Sequence, residues 1–242
     1  MINLCEISRA HFLGSEKGYA AIRELMAPRN YSELLEARLR PNRDFRIGTG
    51  NLENVARCLL VAPHGRAIEP GTTDIVLEVA RLSRWAYYHF DGRLRRRNWE
   101  KLHIASTRFN EPTLLRLLPQ TQFVLSFHGE GSKRGRTIYV GGLYDEGRRA
   151  LLESLNAGLA DLGVRALDAL ASRHAEEIAG RSPDNITNCG RLGAGVQLEF
   201  SLGARLAFFE SLTRAGRRQP RAALGVLARS IDRALGELTR RP

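Results

Sequence analysis

Two histidines stand where apolar segments of the sequence end. His64 follows the run RCLLVAP, His128 follows QFVLSF, and a glycine comes directly after each histidine. A carboxylate, Glu69, lies five residues after His64 on a short loop punctuated by glycine and proline. Two imidazoles and one carboxylate form a known catalytic zinc set, which leaves one coordination position open for water. The pattern therefore raises the hypothesis of a zinc site formed by His64, Glu69 and His128.

Spacing alone leaves a second interpretation open for these side chains, because buried histidines are also common as hydrogen-bonded core residues. His103, in the segment KLHIAST, is a third histidine that fits either a packing role or a supporting role behind the ligands. Glu199 lies on the polar side of the alternating segment VQLEFS. A carboxylate there could take a proton from water and pass it to a leaving nitrogen, but the same pattern fits an edge-strand glutamate that faces solvent.

The elements around these residues alternate between strands and helices. The run RCLLVAP is continuously apolar, which favours a strand buried on both faces. The following TTDIVLEVARLSRW has apolar residues at helical spacing after threonine caps. Further strands are predicted at WAYYHFDG, KLHIAST, QFVLSFHG, RTIYVGGL, VRALDA and VQLEFS, and further helices at EKGYAAIRELM, YSELLEARL, EPTLLRLL, DEGRRALLESLNAGLADLG, RLAFFESLTR and RAALGVLARSIDRALGEL.

This order predicts an α/β class with a mixed, largely parallel open sheet flanked by helices. Functional groups in such sheets gather beyond the carboxyl ends of the strands, where both His64 and His128 stand. The length of 242 residues fits one α/β domain over residues 31–242, preceded by an N-terminal extension over residues 1–30.

The composition restricts the class of protein and of partner. The formal net charge is +11 and nearly all basic residues are arginines. This fits either an arginine-biased genome or an anionic partner, which could be nucleic acid, an anionic membrane or a polycarboxylate such as an acidic polypeptide. The three cysteines show no CxxC spacing, which favours a reducing compartment. No signal-peptide pattern and no apolar run of membrane-spanning length is present. We therefore expect a cytoplasmic protein without a membrane partner.

Four segments together resemble a known family. They are APHGRAIEPGTTDI, LHIASTRFNEP, VLSFHG and NITNCGRLGAGVQLEFSLGAR, and they occur in the expected order between about Tyr31 and Arg205. This set is similar to the phage-type poly-γ-glutamate hydrolase family. The resemblance implies a pared-down, carboxypeptidase A-like zinc peptidase core in which His64, Glu69 and His128 hold a zinc ion (Zn2+) and Glu199 is the general base. It also implies hydrolysis of γ-glutamyl amide bonds, as in poly-γ-glutamate.

Several residues beside these motifs are candidates for binding the substrate. Poly-γ-glutamate carries one free carboxylate per residue, so arginines in the cleft would hold and steer it. The predicted substrate-binding set consists of Arg66, His103, Asn188, Arg191 and Arg205. Each of these arginines could also be a solvated surface residue, and Asn188 could simply be a turn residue.

The sequence departs from the family pattern at Arg66 and Ala67, where glycines are expected, and at Leu202, where a more polar residue is usual. Two alternative functions therefore remain. One keeps the zinc and changes the substrate, giving a deacylase of N-acyl-amino acids or small peptides. The other is a basic, non-enzymatic nucleic-acid-binding protein, which the charge supports but for which no recognisable reading module is present.

Overall fold

The sheet at the centre of the protein is mixed. The structure, a computed structural model, describes residues 28–131, 135–172 and 178–240. Its strands are β1 (Phe45–Gly50), β2 (Cys58–Arg66), β3 (Ala86–Gly92), β4 (Phe123–Gly129), β5 (Thr137–Gly141), β6 (Arg165–Asp168) and β7 (Val196–Phe200), in the order β1-β3-β2-β4-β7-β5-β6. Four neighbouring pairs are parallel, whereas β1 with β3 and β5 with β7 are antiparallel. The predicted α/β class with a largely parallel sheet is confirmed.

Helices cover both faces of the sheet. They are α1 (Tyr31–Glu36), α2 (Thr72–Ser83), α3 (Asn98–Leu102), α4 (Pro112–Leu117), α5 (Asp145–Leu159), α6 (Leu202–Phe208) and α7 (Ala222–Arg240). The larger apolar core joins one face of the sheet to α2, α5, α6 and α7. The smaller core joins the other face to α1, α3 and α4.

The sequence of β2 follows from this position between two cores. Leu60 and Ala62 contribute to the larger core, while Leu59 and Val61 contribute to the smaller one. A strand buried on both faces needs apolar residues at every position, so the run shows no alternation. The strand β7 does alternate, because Leu198 faces the larger core while the polar side chains of the same strand point to the opposite face.

Three sequence expectations are wrong. The segment KLHIAST forms no strand, because α3 ends at Leu102 and His103 closes that helix through its backbone N–H bond to the carbonyl of Trp99. The solvent-facing alternative for Glu199 also fails, because β7 lies between β4 and β5 inside the sheet. The predicted helix RLAFFESLTR ends at Phe208.

The structure does not test some of the other expectations, in part because they concern residues that it does not describe. The predicted helix at residues 16–26 and most of the extension 1–30 lie outside the described residues. The division into an extension and one domain stays a prediction. Among the described helices, none is both long enough and apolar enough to cross a membrane.

Candidate metal centre

His64 lies near the carboxyl end of β2, and its side chain points into a buried site. The pairing of β2 with β3 shifts register between Ala62 and Gly65, and such an irregularity re-aims the side chains around it. The Nε2 atom of His64 lies 2.7 Å from the carbonyl oxygen of Ile104. A carbonyl only accepts, so Nε2 carries the proton and Nδ1 presents a lone pair.

The predicted ligands converge on that lone pair. Nδ1 of His64 lies 3.0 Å from Oε1 of Glu69 and 3.2 Å from Nδ1 of His128. Nδ1 of His128 lies 3.8 Å from Oε2 of Glu69. All three side chains are almost fully buried. Residues 64 apart in the chain are thus brought into contact because β2 and β4 are parallel neighbours whose carboxyl ends meet at one edge of the sheet.

The chemistry of this donor set fits a cation. The carboxylate of Glu69 and Nδ1 of His64 are both acceptors, so their 3.0 Å approach places two lone pairs together unless a positive charge lies between them. Nitrogen ligands about 2.0–2.1 Å from one zinc ion in tetrahedral geometry would be roughly 3.3 Å apart. The separations between the two histidines and the carboxylate agree with that requirement.

His103 is a fourth polar group at the same place. Its Nε2 lies 3.6 Å from Oε1 of Glu69, and ligand atoms of His64, Glu69 and His103 all lie within 4.8 Å of one another. The ring stacks on Trp99 at a centroid distance of 4.5 Å and packs at a tilt against His64 at 3.9 Å. His103 is therefore placed either to bind the metal or to contact a substrate beside it.

Burial and mutual charge tune the ionisation of these groups. Burial lowers the pKa of His128 to about 3, although Glu69 opposes the shift. Burial also lowers the pKa of His103. Burial by itself would raise the pKa of Glu69, but its close contacts with the imidazoles of His64, His103 and His128 bring it well below its ordinary value. These shifts favour neutral imidazoles at His103 and His128 and an ionised carboxylate at Glu69, which is the state that binds zinc.

Glu199 stands beside His128 on the adjacent parallel strand. The two residues are register partners, and neighbouring strands lie about 4.8 Å apart. Gln197 donates from Nε2 to Oε1 of Glu199 at 2.9 Å, and Asn185 in turn donates to Oε1 of Gln197 at 3.1 Å. Burial, followed by the negative charges of Glu69 and Glu130, raises the pKa of Glu199 well above its ordinary value. A buried carboxyl with a raised pKa beside a metal-type site is suited to proton transfer.

Arg205 fixes the surroundings of Glu69. Its guanidinium donates to the carbonyl of Pro70 at 3.1 Å and to that of Glu130 at 2.9 Å, which ties the loop after β2 to the end of β4. Gly129 donates its backbone N–H to Oε2 of Glu69 at 2.8 Å. A side chain at Gly129 would meet the guanidinium of Arg205 within 2.7 Å, so the close packing here requires glycine.

Arg66 lies at the rim of the same edge. It adopts a left-handed backbone with φ of 52°, which is uncommon for a residue with a side chain. Its Nε donates to Oδ2 of the buried Asp91 at 2.8 Å. The Arg66 side chain itself is 42% exposed to solvent. Thr73 donates to the other oxygen of Asp91 at 2.6 Å. Asp91 thus holds a partly exposed guanidinium in a fixed position.

Two of the predicted substrate-binding residues are not at this site. Arg191 donates to the carbonyls of Gln120 and Ala56, which precede β4 and β2 and so lie at the amino ends of those strands. The amide of Asn188 is fully engaged with four backbone groups, at Gly180, Ser182, Leu143 and Gly195. Asn188 therefore holds its own loop together, and Arg191 lies at the opposite edge of the sheet.

The sequence analysis missed three contributors to the centre. Gln197 is two residues before Glu199 on the same side of β7, so the alternation that selected Glu199 could have included it. Asp91 lies near the carboxyl end of β3, the type of position that drew attention to His64. Trp99 could not be identified in this way, because its contact with His103 depends on α3, which the pattern did not predict.

Comparisons with known proteins agree in sequence and in fold. The sequence profile of the family described as poly-gamma-glutamate hydrolase matches residues 29–227. The SPbeta prophage-derived UPF0714 protein YoqZ of Bacillus subtilis (strain 168) is 38% identical over 161 residues, which are 66% of this chain and 55% of YoqZ. This chain therefore spans little more than half the length of that relative.

Two solved structures have the same fold. The structure of a bacteriophage poly-gamma-glutamate hydrolase superposes with a TM-score of 0.77 and 30% identity, covering 87% of this chain and 96% of that one. A zinc-free apo structure of YndL superposes with a TM-score of 0.74 and 29% identity, covering 86% and 96%. Since the family profile matches most of the sequence, this chain belongs to the poly-gamma-glutamate hydrolase family.

Proposed function

We propose that this protein is a zinc-dependent hydrolase that cleaves γ-glutamyl amide bonds in an acidic polypeptide. The observation that carries the proposal is the meeting of His64, Glu69 and His128 within 3.0 to 3.8 Å at the carboxyl edge of the sheet, with Glu199 on the next strand. Those three side chains would hold the metal. His103, 3.6 Å from Glu69, would contact the substrate.

In this proposal the metal and the side chains around it have separate chemical roles. A zinc ion bound at this centre supplies a Lewis acid that polarises the scissile carbonyl and makes water more acidic. Glu199 accepts a proton from water and delivers it to the departing nitrogen. Gln197 occupies Oε1 of Glu199, so Oε2 is the atom on which the proton moves. The carbonyl of Ile104 keeps the proton of His64 on Nε2 and its lone pair turned inward.

The substrate carboxylates would meet arginine at the rim. Asp91 neutralises one edge of the Arg66 guanidinium and leaves the other edge for a carboxylate of the substrate. Arg205 acts differently, since it is buried and bonds to two carbonyls. It would position Glu69 and add positive potential to the cleft.

Two relatives of known structure support this proposal. The superposed bacteriophage enzyme is a poly-gamma-glutamate hydrolase, and YndL has a form that is described as zinc-free. The identities of 30% and 29% extend over nearly the whole of those chains. The residue roles and the zinc dependence of the present chain are our inference from its geometry.

The experiment compares wild type, His128→Ala and Glu199→Gln for bound zinc and for release of glutamate or oligomers from poly-γ-glutamate. His128→Ala should lose zinc and activity together, because a ligand is removed. Glu199→Gln should keep stoichiometric zinc and lose turnover by about 10²–10⁴-fold, because only the proton transfer is removed. Stoichiometric zinc in His128→Ala would contradict the ligand assignment, and wild-type turnover in Glu199→Gln would contradict the general base.

A substrate panel tests the bond that is cleaved. We expect γ-linked glutamate polymers to be hydrolysed and α-linked polyglutamate and N-acyl-amino acids to be poor substrates. Preferential cleavage of N-acyl-amino acids would instead identify a deacylase that uses the same centre.

A further inference from the structure

A second group of arginines lies at the edge of the sheet that carries the metal centre. Residues 93–97, which we call the arginine loop, join the end of β3 to the start of α3. Arg95, Arg96 and Arg97 in this loop are all exposed. Because β3 is parallel to β2, with Gly92 opposite Arg66, the loop begins at the level of the metal-binding edge.

The arginine loop is held in a defined position. Asn98 accepts a hydrogen bond from the backbone N–H of Leu94 at 2.9 Å and donates to its carbonyl at 2.8 Å. Asn98 and Ile68 both pack on Gly92, where a Cβ atom would lie 2.7 Å from each. Ile68 precedes Glu69, so the base of the loop contacts the segment that carries a proposed ligand.

The loop also leads directly to the centre. Arg97 precedes α3 and His103 follows it. Six residues at a rise of about 1.5 Å place these two residues roughly 9 Å apart along the helix. The charges of the loop therefore lie one short helix away from His103 and are separate from the groups that surround the metal site.

Among the described residues, the three arginines have no acidic partner, unlike several other surface arginines. Arg43, Arg81 and Arg84 form ion pairs of 2.6 to 2.8 Å with Asp44, Glu78 and Glu53. Across residues 28–131, 135–172 and 178–240, no carboxylate lies within ion-pair distance of Arg95, Arg96 or Arg97. Three positive charges on adjacent residues, without an ion pair to the described part of the chain, create a potential that attracts a polyanion.

We propose that the arginine loop is a remote subsite for the acidic polymer, which binds free carboxylates some residues away from the bond being cleaved. The inference rests on the proposed function and specifies its substrate further, because a remote subsite favours long chains over short ones. The backbone at Arg97 supports this role. Its left-handed φ of 59° ends the loop and starts α3, so the side chain is displayed from a fixed turn.

The test measures chain-length preference. The variant R95Q/R96Q/R97Q is compared with R229Q/R233Q/R240Q, which removes the same charge from the exposed side of α7, on the opposite face of the sheet. Both are assayed on long poly-γ-glutamate and on a short γ-linked glutamate oligomer. For the loop variant, the ratio of kcat/KM on polymer to kcat/KM on oligomer should fall on the order of tenfold, since exposed ion pairs are individually weak and three act together.

The control variant should keep the wild-type ratio. The polymer KM of wild type should rise with salt, and that of the loop variant should rise less, because fewer screened contacts remain. Equal ratios in the loop and control variants would overturn the inference.

A binding measurement separates this inference from the proposed function. If wild type cleaves neither substrate, the proposed function fails, and the loop is judged by fluorescence anisotropy with labelled poly-γ-glutamate. Weaker polymer binding by the loop variant than by the control supports the subsite, and equal binding overturns it. Loss of affinity for single-stranded DNA with full retention of polymer affinity would also overturn it, by identifying the loop as a nucleic-acid surface.

Discussion

At the scale of the residue, the centre depends on where individual protons lie. The hydrogen bond from His64 to the carbonyl of Ile104 leaves Nδ1 unprotonated and turned to Glu69 and His128. In contrast, Nε2 of His128 has no hydrogen-bond partner in the described parts of the chain. One histidine is thus fixed by a backbone carbonyl, whereas a bound metal would add to the orientation of the other.

The packing around Gly129 predicts a selective loss of zinc affinity. In Gly129→Ala the new methyl group would lie 2.7 Å from Nη1 of Arg205 and 3.1 Å from Cβ of Glu69. Arg205 is buried and bonded to two carbonyls, so its retreat disturbs the loop that carries Glu69. We expect zinc affinity to fall about tenfold, as for other supporting groups of metal sites, in a competition titration with a chromophoric chelator.

Gly131→Ala is the matched control, because nothing lies within 4 Å of a Cβ atom at Gly131. It should bind zinc as wild type does. An equal loss in both variants would show that the effect comes from the loop backbone and not from Arg205.

The raised pKa of Glu199 predicts a pH-dependent stability of the metal-free protein. A group whose pKa is higher in the folded state contributes stability below its unfolded pKa and loses that contribution as the pH rises through the folded value. Burial, Glu69 and Glu130 are the causes of the raised value. Metal-free wild type should therefore lose stability relative to Glu199→Gln as the pH rises above the ordinary range of a carboxyl pKa, measured by urea unfolding with a chelator present. Parallel stability curves for the two proteins would contradict the burial of an ionisable carboxyl.

The sequence was informative about residues at strand ends and uninformative about residues in loops. His64 and His128 follow strongly apolar strands, and parallel pairing brings their carboxyl ends together. Arg191 and Asn188 stand on a long loop, where closeness in sequence to Glu199 does not specify which edge of the sheet they reach. Their positions depend on hydrogen bonds to distant backbone groups.

At the scale of the element, α6 has a cap that also joins neighbouring segments. Oγ of Ser201 accepts from the backbone N–H of Ala204 at 3.1 Å and of Thr137 at 3.0 Å, and it donates to the carbonyl of Gly135 at 3.2 Å. The residue is fully buried. This one hydroxyl therefore orients the helix that carries Arg205.

Ser201→Ala should lower the free energy of unfolding by about 1–3 kcal/mol, because it removes a helix cap and leaves buried backbone groups unpaired. Urea denaturation measures the change. Ser83→Ala, at the exposed end of α2, should change stability by less than about 0.5 kcal/mol. A similar small effect at Ser201 would show that water or another group replaces the cap.

The element α3 shows why local pattern can mislead. Leu102 and Ile104 are both buried in the smaller core, and their spacing of two resembles the alternation of a strand. The chain instead makes a short helix that lays Trp99 against His103. The segment forms a helix because it packs against the face of the sheet that carries the smaller core. That packing involves residues distant in the chain, so the local sequence does not predict it.

At the scale of the whole molecule, the larger apolar core and the polar groups of the candidate site lie on opposite faces of the sheet. The larger core, under α2, α5 and α7, lies on one face, while Glu199 and Gln197 point to the other. The order of strands brings β2, β4 and β7 together at the centre of the sheet, so the proposed ligands and base come from its most buried strands. Metal binding there should be linked to global unfolding.

Removal of zinc should therefore lower the thermal midpoint of wild type. A ligand present at 100 times its dissociation constant stabilises the native state by about 2.7 kcal/mol, which corresponds to several degrees for a chain of this size. Calorimetry with and without chelator measures the shift. In His128→Ala the shift should nearly vanish, and a full shift in that variant would place the stabilising metal elsewhere.

The most direct measurement is anomalous scattering at the zinc edge from crystals grown with zinc. We predict one strong peak about 2 Å from Nδ1 of His64, Nδ1 of His128 and an oxygen of Glu69, with Glu199 outside the coordination sphere. A peak bound through His103 in place of His128, or no peak at this edge of the sheet, would contradict the proposed centre.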